Sequence, residues 1–393
     1  MRSLLSAVVF PVLLALVSLV VVQKRVIRNN IFPETAIDTT FSDRRYVYNF
    51  NSIPEAENLL LTQPADSSVI YLLGSSELTS GNAYTPYNFI SDRFSVKVMG
   101  IGHEGNQCFS IYCQLLANAN RLKNAPVVII VSPGWFEAKP ARGTTSAVFL
   151  QYVSDEYVRK IQKSKVDPKF VAYANKGIAG FYHELNAPSS AYRIAHLRDV
   201  SSRSYYHSVW AAPLQEWNVF TDFFKQKIAK VMERPPVFSN EPVMCTVNWD
   251  SLRRVTREET ISKATNNEMG IENEYFSTYI QQKKGNIYPV PRWANREMDD
   301  FSMLVDLLHS SGANASFIIS PLNPYYFRNL KDMQPVIEEL ETKMKSSGFT
   351  YLNLFTSEPK NYDKALLSDV MHMSEYGWLQ VDEFIVHRYS LCK

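Results

Sequence analysis

The chain has 393 residues, of which 46% are hydrophobic and 20% charged, and its formal net charge is only +2. That balance fills a core and excludes intrinsic disorder, and it offers no basic face of the kind that binds nucleic acid. The length fits one large domain with an insertion, or two domains.

Leu4 to Val22 is almost wholly apolar, preceded by Arg2 and followed by Lys24, Arg25 and Arg28. A run of about 20 apolar residues matches the thickness of a bilayer. No small-x-small cleavage site follows Val22, so residues 1–30 read as an uncleaved transmembrane anchor and residues 31–393 as the body. The three basic residues after the segment, taken alone, favour a cytoplasmic body.

Five short β-rich runs follow: Val69–Leu73, Phe94–Val98, Val127–Val131, Ser316–Ile319 and Thr350–Leu354. Amphipathic stretches at Gln107–Leu122, Trp293–Ser310 and Met333–Ser346 alternate with them. Strands alternating with helices predict an α/β fold, a parallel sheet covered on both faces. Residues 140–292 show no clear strand and are helical in pattern at Asn218–Glu233 and Ser251–Tyr279. A connection that long predicts a mainly helical insertion. Cys108, Cys113, Cys245 and Cys392 form neither a CxxC pair nor a zinc spacing. Two readings stay open for them, disulfides or buried thiols, with Cys108 and Cys113 the pair to watch. The aromatic share of 13% suits a binding groove or an aromatic-rich core.

Three short motifs carry chemistry. Gly100-Ile-Gly102-His-Glu-Gly105 fits a dinucleotide fingerprint, but the next strand ends on Ser132 with no carboxylate for a ribose, so the glycines serve tight turns instead. Gly74-Ser75-Ser76-Glu77 ends the first strand, where a hydroxyl is exposed at the start of a helix and backbone N–H groups face a developing oxyanion. Asp369-Val-Met-His372 lets a carboxylate orient an imidazole, which then serves as general base to a serine. Alone, each of the last two reads as an ordinary helix cap. Together and in this order, a parallel sheet brings them to one edge.

This ordering resembles the SGNH (GDSL-like) hydrolase superfamily, a three-layer α/β fold. The resemblance implies Ser76 as nucleophile, Asp369 and His372 as its partners, and the N–H groups of Ser76 and Gly105 as oxyanion donors. The segment Val131-Ser132-Pro133-Gly134-Trp135 departs from the superfamily, because it offers no Asn side chain to the oxyanion. A closer likeness runs through LLGSSEL, VSPGWF, Asn266-Asn267-Glu268-Met269-Gly270-Ile271 with Tyr275, Ile319-Ser320-Pro321-Leu322-Asn323, and Asp369-x-x-His372 with Gly377-Trp378. These blocks look like the DltD family of D-alanyl transfer proteins. That likeness implies an extracytoplasmic body on a single-pass anchor in the cell membrane, against the local charge count. It implies D-alanylation of teichoic acid or a related surface polymer, and partnership with a membrane O-acyltransferase. The D-alanyl donor comes indirectly from a phosphopantetheinyl carrier protein, and no metal or soluble cofactor is required. Trp135, Asn323, Tyr325 and Tyr326 are the expected acceptor-binding residues. Other readings of the same residues are an esterase or thioesterase that hydrolyses acyl groups, a carrier-editing enzyme in the cytoplasm, and a non-catalytic module that presents polymer to the acyltransferase.

Overall fold

A computed structural model describes residues 48–50, 69–94, 96–102, 104–136, 143–145, 148–149, 152–153, 155–184, 247–282 and 295–391. The apolar N-terminal segment, the expected helix at Asn218–Glu233, and Cys245 and Cys392 lie outside the described residues. Among the described residues no helix is long and apolar enough to cross a membrane.

The frame is a three-layer α/β sandwich around a six-stranded, wholly parallel sheet. Its strands are β1 (Tyr48–Phe50), β2 (Val69–Leu73), β3 (Lys97–Ile101), β4 (Pro126–Val131), β5 (Asn314–Ile319) and β6 (Thr350–Asn353), in the spatial order β1-β3-β2-β4-β5-β6. Parallel strands are buried on both faces and so read as unbroken apolar runs. VIYLL of β2 and PVVIIV of β4 are buried at every position.

Among the described residues, the helices of eight residues or more are α1 (Pro86–Arg93), α2 (Cys108–Ala117), α3 (Asp155–Lys163), α4 (Pro168–Glu184), α5 (Trp249–Ser262), α6 (Arg296–Ser310), α7 (Gln334–Ser346) and α8 (Glu375–Arg388). Alternate strand residues Ile70, Leu72, Val98, Val128, Ile130 and Ile318 join Phe89 and Ile90 of α1 and Trp378, Leu379 and Ile385 of α8 in one core. The opposite side chains face α2 and α6, where the rings of Phe317 and Phe301 lie 5.8 Å apart. The described helices of the 140–292 stretch extend these two layers. The Tyr112 hydroxyl of α2 donates to Phe170 O of α4 at 2.7 Å, and Trp249 of α5 meets Phe89 of α1 at 5.9 Å between centroids.

Two expectations change, and one open choice closes. The second strand lies three residues later than its apolar run suggested, at Lys97–Ile101, because Phe94 closes α1 by donating to Ile90 O. Gly100 is therefore inside a strand and not in a turn. The helix expected through Ser251–Tyr279 stops at Ser262, since Asn267 turns the chain by accepting the N–H groups of Met269 and Ile271 at 3.1 Å each. Cys108 and Cys113 are buried free thiols, so of the two readings left open for them the structure carries the thiols and not the disulfide. They sit five positions apart on α2, where a rise of about 1.5 Å per residue and diverging Cβ directions hold the sulfurs beyond bonding reach.

Order along the strands decides what meets at the sheet edge. The chain runs from β2 outward to β3, then crosses back over β2 to β4, so β2 is the topological switch point. In open α/β sheets the reactive crevice lies there, at the carboxyl ends of the strands. Leu73 is in register with Ile101 and Ile129, which levels the turns that follow β2, β3 and β4. Gly102 permits the closest approach: a Cβ there would stand 2.5 Å from Gly74 O.

Two measurements check this packing. Gly102→Ala pushes a methyl group into backbone that cannot yield, and should cost roughly 1–3 kcal/mol as overpacking does, read as a lowered Tm. A Tm equal to that of the parent chain would show that the two turns are not in contact. In thiol labelling without reductant, Cys108 and Cys113 should resist reagent in the native protein and both react once it is denatured. A mass two hydrogens short, with both sulfurs unlabelled, would restore the disulfide.

Candidate active site

The crevice at the end of β2 is built on Gly74. Its N–H donates to Ile101 O at 3.2 Å, and its carbonyl accepts the Asn106 carboxamide at 2.8 Å. Asn106 is wholly buried, and its Oδ1 accepts from Ser110 Oγ at 2.7 Å and Gln114 Nε2 at 3.0 Å. The turn after β3 is thereby bolted both to the turn after β2 and to α2. Beyond Gly74 the chain enters a one-turn 3-10 helix, Ser76–Thr79, with Ser76 first. Ser75 is buried while Ser76 is half-exposed. The Ser76 N–H has no partner among the described residues, as expected for the first residue of a helical turn.

His372 arrives from the far side of the sheet. After β6 the chain must travel back across the edge to reach β2, and hydrogen bonds fix this return. Leu367 and Met373 pair as an antiparallel bridge, and Ser368 N–H donates to His372 O at 3.0 Å. Asn323 N–H donates to Val370 O at 3.0 Å, and Glu272 N–H to Ser368 O at 2.9 Å. Asp369 completes the turn. Its Oδ1 accepts the N–H groups of Met371 and His372 at 2.7 Å each, and its Oδ2 pairs with His372 Nδ1 at 2.6 Å.

The result brings Ser76 Oγ to 3.1 Å from His372 Nε2. With Nδ1–H given to Asp369, Nε2 is left to accept the serine hydroxyl. Burial works to raise the Asp369 pKa, but the hydrogen bond and charge of His372 and two backbone N–H groups outweigh it and hold the carboxyl below its ordinary value. The Asp369 hydrogen bond raises the His372 pKa, against burial, and the charges of Asp369, Glu77 and Glu104 add to the rise. Such an array can move a proton from a hydroxyl to an imidazole and back, which is what a serine nucleophile needs.

Not every expected site residue faces this space. Gly105 has φ +83, which turns its N–H onto Ser75 Oγ at 3.2 Å, so the amide expected beside Ser76 is already engaged. Asn323 is fully buried and bonds Met269 O and Tyr325 N–H at 3.0 Å each; it ties loops together and presents nothing to a ligand. Trp135 is buried in the 3-10 turn Pro133–Trp135. Tyr325 is half-buried, its hydroxyl on Pro359 O at 3.3 Å and its ring under Lys364, while Tyr326 is buried against Phe327. Of the three rings only that of Tyr325 is partly exposed. Missed from the sequence were Asn106 and Glu77, the latter buried with its Oε1 accepting Ser75 N–H at 2.6 Å. The only sequence signal for either was a polar residue directly after a motif glycine or serine.

Comparison with known proteins gives matches over most of the chain. The family model described as DltD protein matches residues 49–390. Protein DltD of Bacillus subtilis (strain 168) is 21% identical over 353 residues, covering 84% of each chain. Protein DltD of Staphylococcus aureus (strain NCTC 8325 / PS 47) is 21% identical over 331 residues, covering 80% of this chain and 79% of that one.

The His372 pKa is directly measurable. Folding favours its protonated form, so this stabilisation is complete below the unfolded value near 6.5 and is lost as pH rises through the higher folded value. NMR titration of 15N-histidine-labelled protein should find His372 titrating above 6.5, and Asp369→Asn should move the midpoint down. An unmoved midpoint would mean that Asp369 does not hold the ring.

Proposed function

This chain belongs to the DltD family, and from that premise we propose that it D-alanylates teichoic acid or a related cell-surface polymer by covalent acyl transfer through Ser76. The observation that carries the mechanism is the continuous line from Ser76 Oγ through His372 to Asp369, at 3.1 and 2.6 Å. In this reading the site works as that of an SGNH-type hydrolase put to transfer.

In the first half-reaction Ser76 Oγ attacks the D-alanyl carbonyl carbon and its proton passes to His372 Nε2. The tetrahedral oxyanion collapses, the bond to the donor heteroatom breaks, and that atom leaves with the proton from His372. In the second half-reaction an acceptor hydroxyl gives its proton to His372 and attacks the ester, and Ser76 departs with its proton restored. Splitting the transfer lowers each barrier separately. The Ser76 N–H, first in its helical turn, is the donor available to the oxyanion. Asp369 holds the ring in the productive tautomer and offsets the charge of the imidazolium.

The family premise and the apolar Leu4–Val22 segment support a body held outside the cytoplasm on a single transmembrane anchor. Its partners in this reading are a membrane O-acyltransferase and, upstream of it, a phosphopantetheinyl carrier that supplies D-alanine.

Incubation of the full-length protein with a D-alanyl thioester should add one alanyl mass to Ser76. Ser76→Ala should abolish this and lower polymer acylation by about 1000-fold or more, as loss of a nucleophile does. Normal acylation of polymer in the Ser76→Ala strain would replace transfer with a presenting role, and release of free D-alanine without polymer ester would replace it with hydrolysis.

A further inference from the structure

A second polar cleft lies at the pole away from Ser76. α2 ends at Ala117, ahead of β4, and α6 ends at Ser310, ahead of β5. Together with the end of α3 at Lys163 they border a cleft of about 790 Å³. It therefore sits at the amino ends of the strands, whereas Ser76 follows the carboxyl end of β2. A six-residue strand such as β4 is roughly 20 Å long, which sets the separation of the two places along the sheet.

The lining is rich in cations. Arg121, Lys160, Lys163 and Lys165 border the cleft, and among the described residues Asp167 is its one carboxylate. Asp167 is committed to the start of α4, where its Oδ1 accepts Lys169 N–H at 2.9 Å and its Oδ2 pairs with Lys169 Nζ at 3.9 Å. Neither Lys163 nor Lys165 has an ion-pair partner among the described residues.

Lysines at helix ends often do no more than answer the helix dipole, but here that use is too small. Three helix ends bring roughly half a negative charge each, about −1.5 in all, against four cations. The excess positive charge repels itself around one cleft unless an anion joins it. A phosphodiester meets that need: it is fully charged at neutral pH, and ammonium and guanidinium groups both bind it by charge-assisted hydrogen bonds. The cleft has room for a segment of chain. A membrane surface fits less well, because the exposed large apolar side chains Val255, Ile261 and Tyr279 do not border the cleft. The Ser76 edge is unsuited to hold a polyanion, since Asp369 and Glu77 are buried there and Glu104 is exposed on the turn after β3.

We propose that the cleft between the ends of α2, α3 and α6 is a docking site for a polyphosphodiester chain, held by the charges of Arg121, Lys160, Lys163 and Lys165. The cleft stands on its own charges; that the docked chain is the acceptor rests on the acyl-transfer reading of Ser76. A chain gripped here and long enough to reach Ser76 meets the serine at a raised effective concentration, without loading anions onto the acidic edge.

The test titrates full-length protein in a zwitterionic detergent with a fluorescent poly(glycerol phosphate) oligomer, beside a neutral polyglycerol of equal length. The oligomer should bind in preference to polyglycerol, and added salt should weaken it. Joint Lys163→Glu and Lys165→Glu should weaken it about tenfold, and Lys163→Arg with Lys165→Arg should retain it. Both lysines are exposed, so the fold should tolerate either pair. Should the glutamate pair lower Tm, Lys165→Gln alone decides by the same comparison. Equal affinity of parent and charge-reversed protein overturns the site, as does equal binding of the neutral polymer or no binding by the parent. Phosphatidylglycerol vesicles make the remaining arm: if charge reversal releases the vesicles and leaves oligomer binding unmoved, the cleft is a membrane contact and the proposal falls. Oligomer binding that persists in a protein whose Ser76 takes no alanyl group supports the cleft while the acyl-transfer reading fails.

Discussion

The Asp369 carboxylate is the interaction on which the site depends. One oxygen closes a tight turn by accepting two backbone N–H groups, and the other holds the imidazole of His372. The first joins the Leu367–Met373 bridge in fixing the chain that returns from β6; without the second, the ring has no fixed tautomer. Both tasks need an ionised carboxyl, and burial opposes ionisation. Three N–H groups pointing at one carboxylate supply what is needed, since bonds to an ionised acceptor are roughly twice as strong as neutral ones. Fold and chemistry thus share one charge.

The opposite half of the crevice is held by neutral groups. Gly74 and Gly102 touch because neither has a side chain, and Asn106 fastens the contact from beneath with a carboxamide that bonds Gly74, Ser110 and Gln114. This half is rigid by packing and the His372 half by hydrogen bonds. Ser76 stands on the rigid half, at the start of its turn, where a hydroxyl is exposed without loosening the backbone.

Much of this was legible in the sequence, for identifiable reasons. Unbroken apolar runs such as VVIIV belong to strands buried on both faces, and four of the five expected strands lie within about two residues of their places. The strand that slipped did so because Gly100 looked like a turn, yet a glycine is tolerated in a strand where another backbone comes close. The helices α1 and α8 went unseen. α8 is apolar on more than one side, packed between α1 and α5, so it has no clean polar stripe to read. Ser76, Asp369 and His372 could be named because their motifs end elements that a parallel sheet must bring together. Asn323 could not be judged, because a polar residue after a strand has the same one-letter code whether it faces a ligand or a loop carbonyl. Only burial and partners distinguish the two.

The charges around His372 tune it as a base. Asp369, Glu77 and Glu104 all favour the protonated imidazole. A more basic imidazole is a better acceptor for the serine proton but is more often already protonated at neutral pH. Asp369 sets this balance most, because its hydrogen bond to Nδ1 and its charge both act on the ring, while Glu77 and Glu104 act by charge alone.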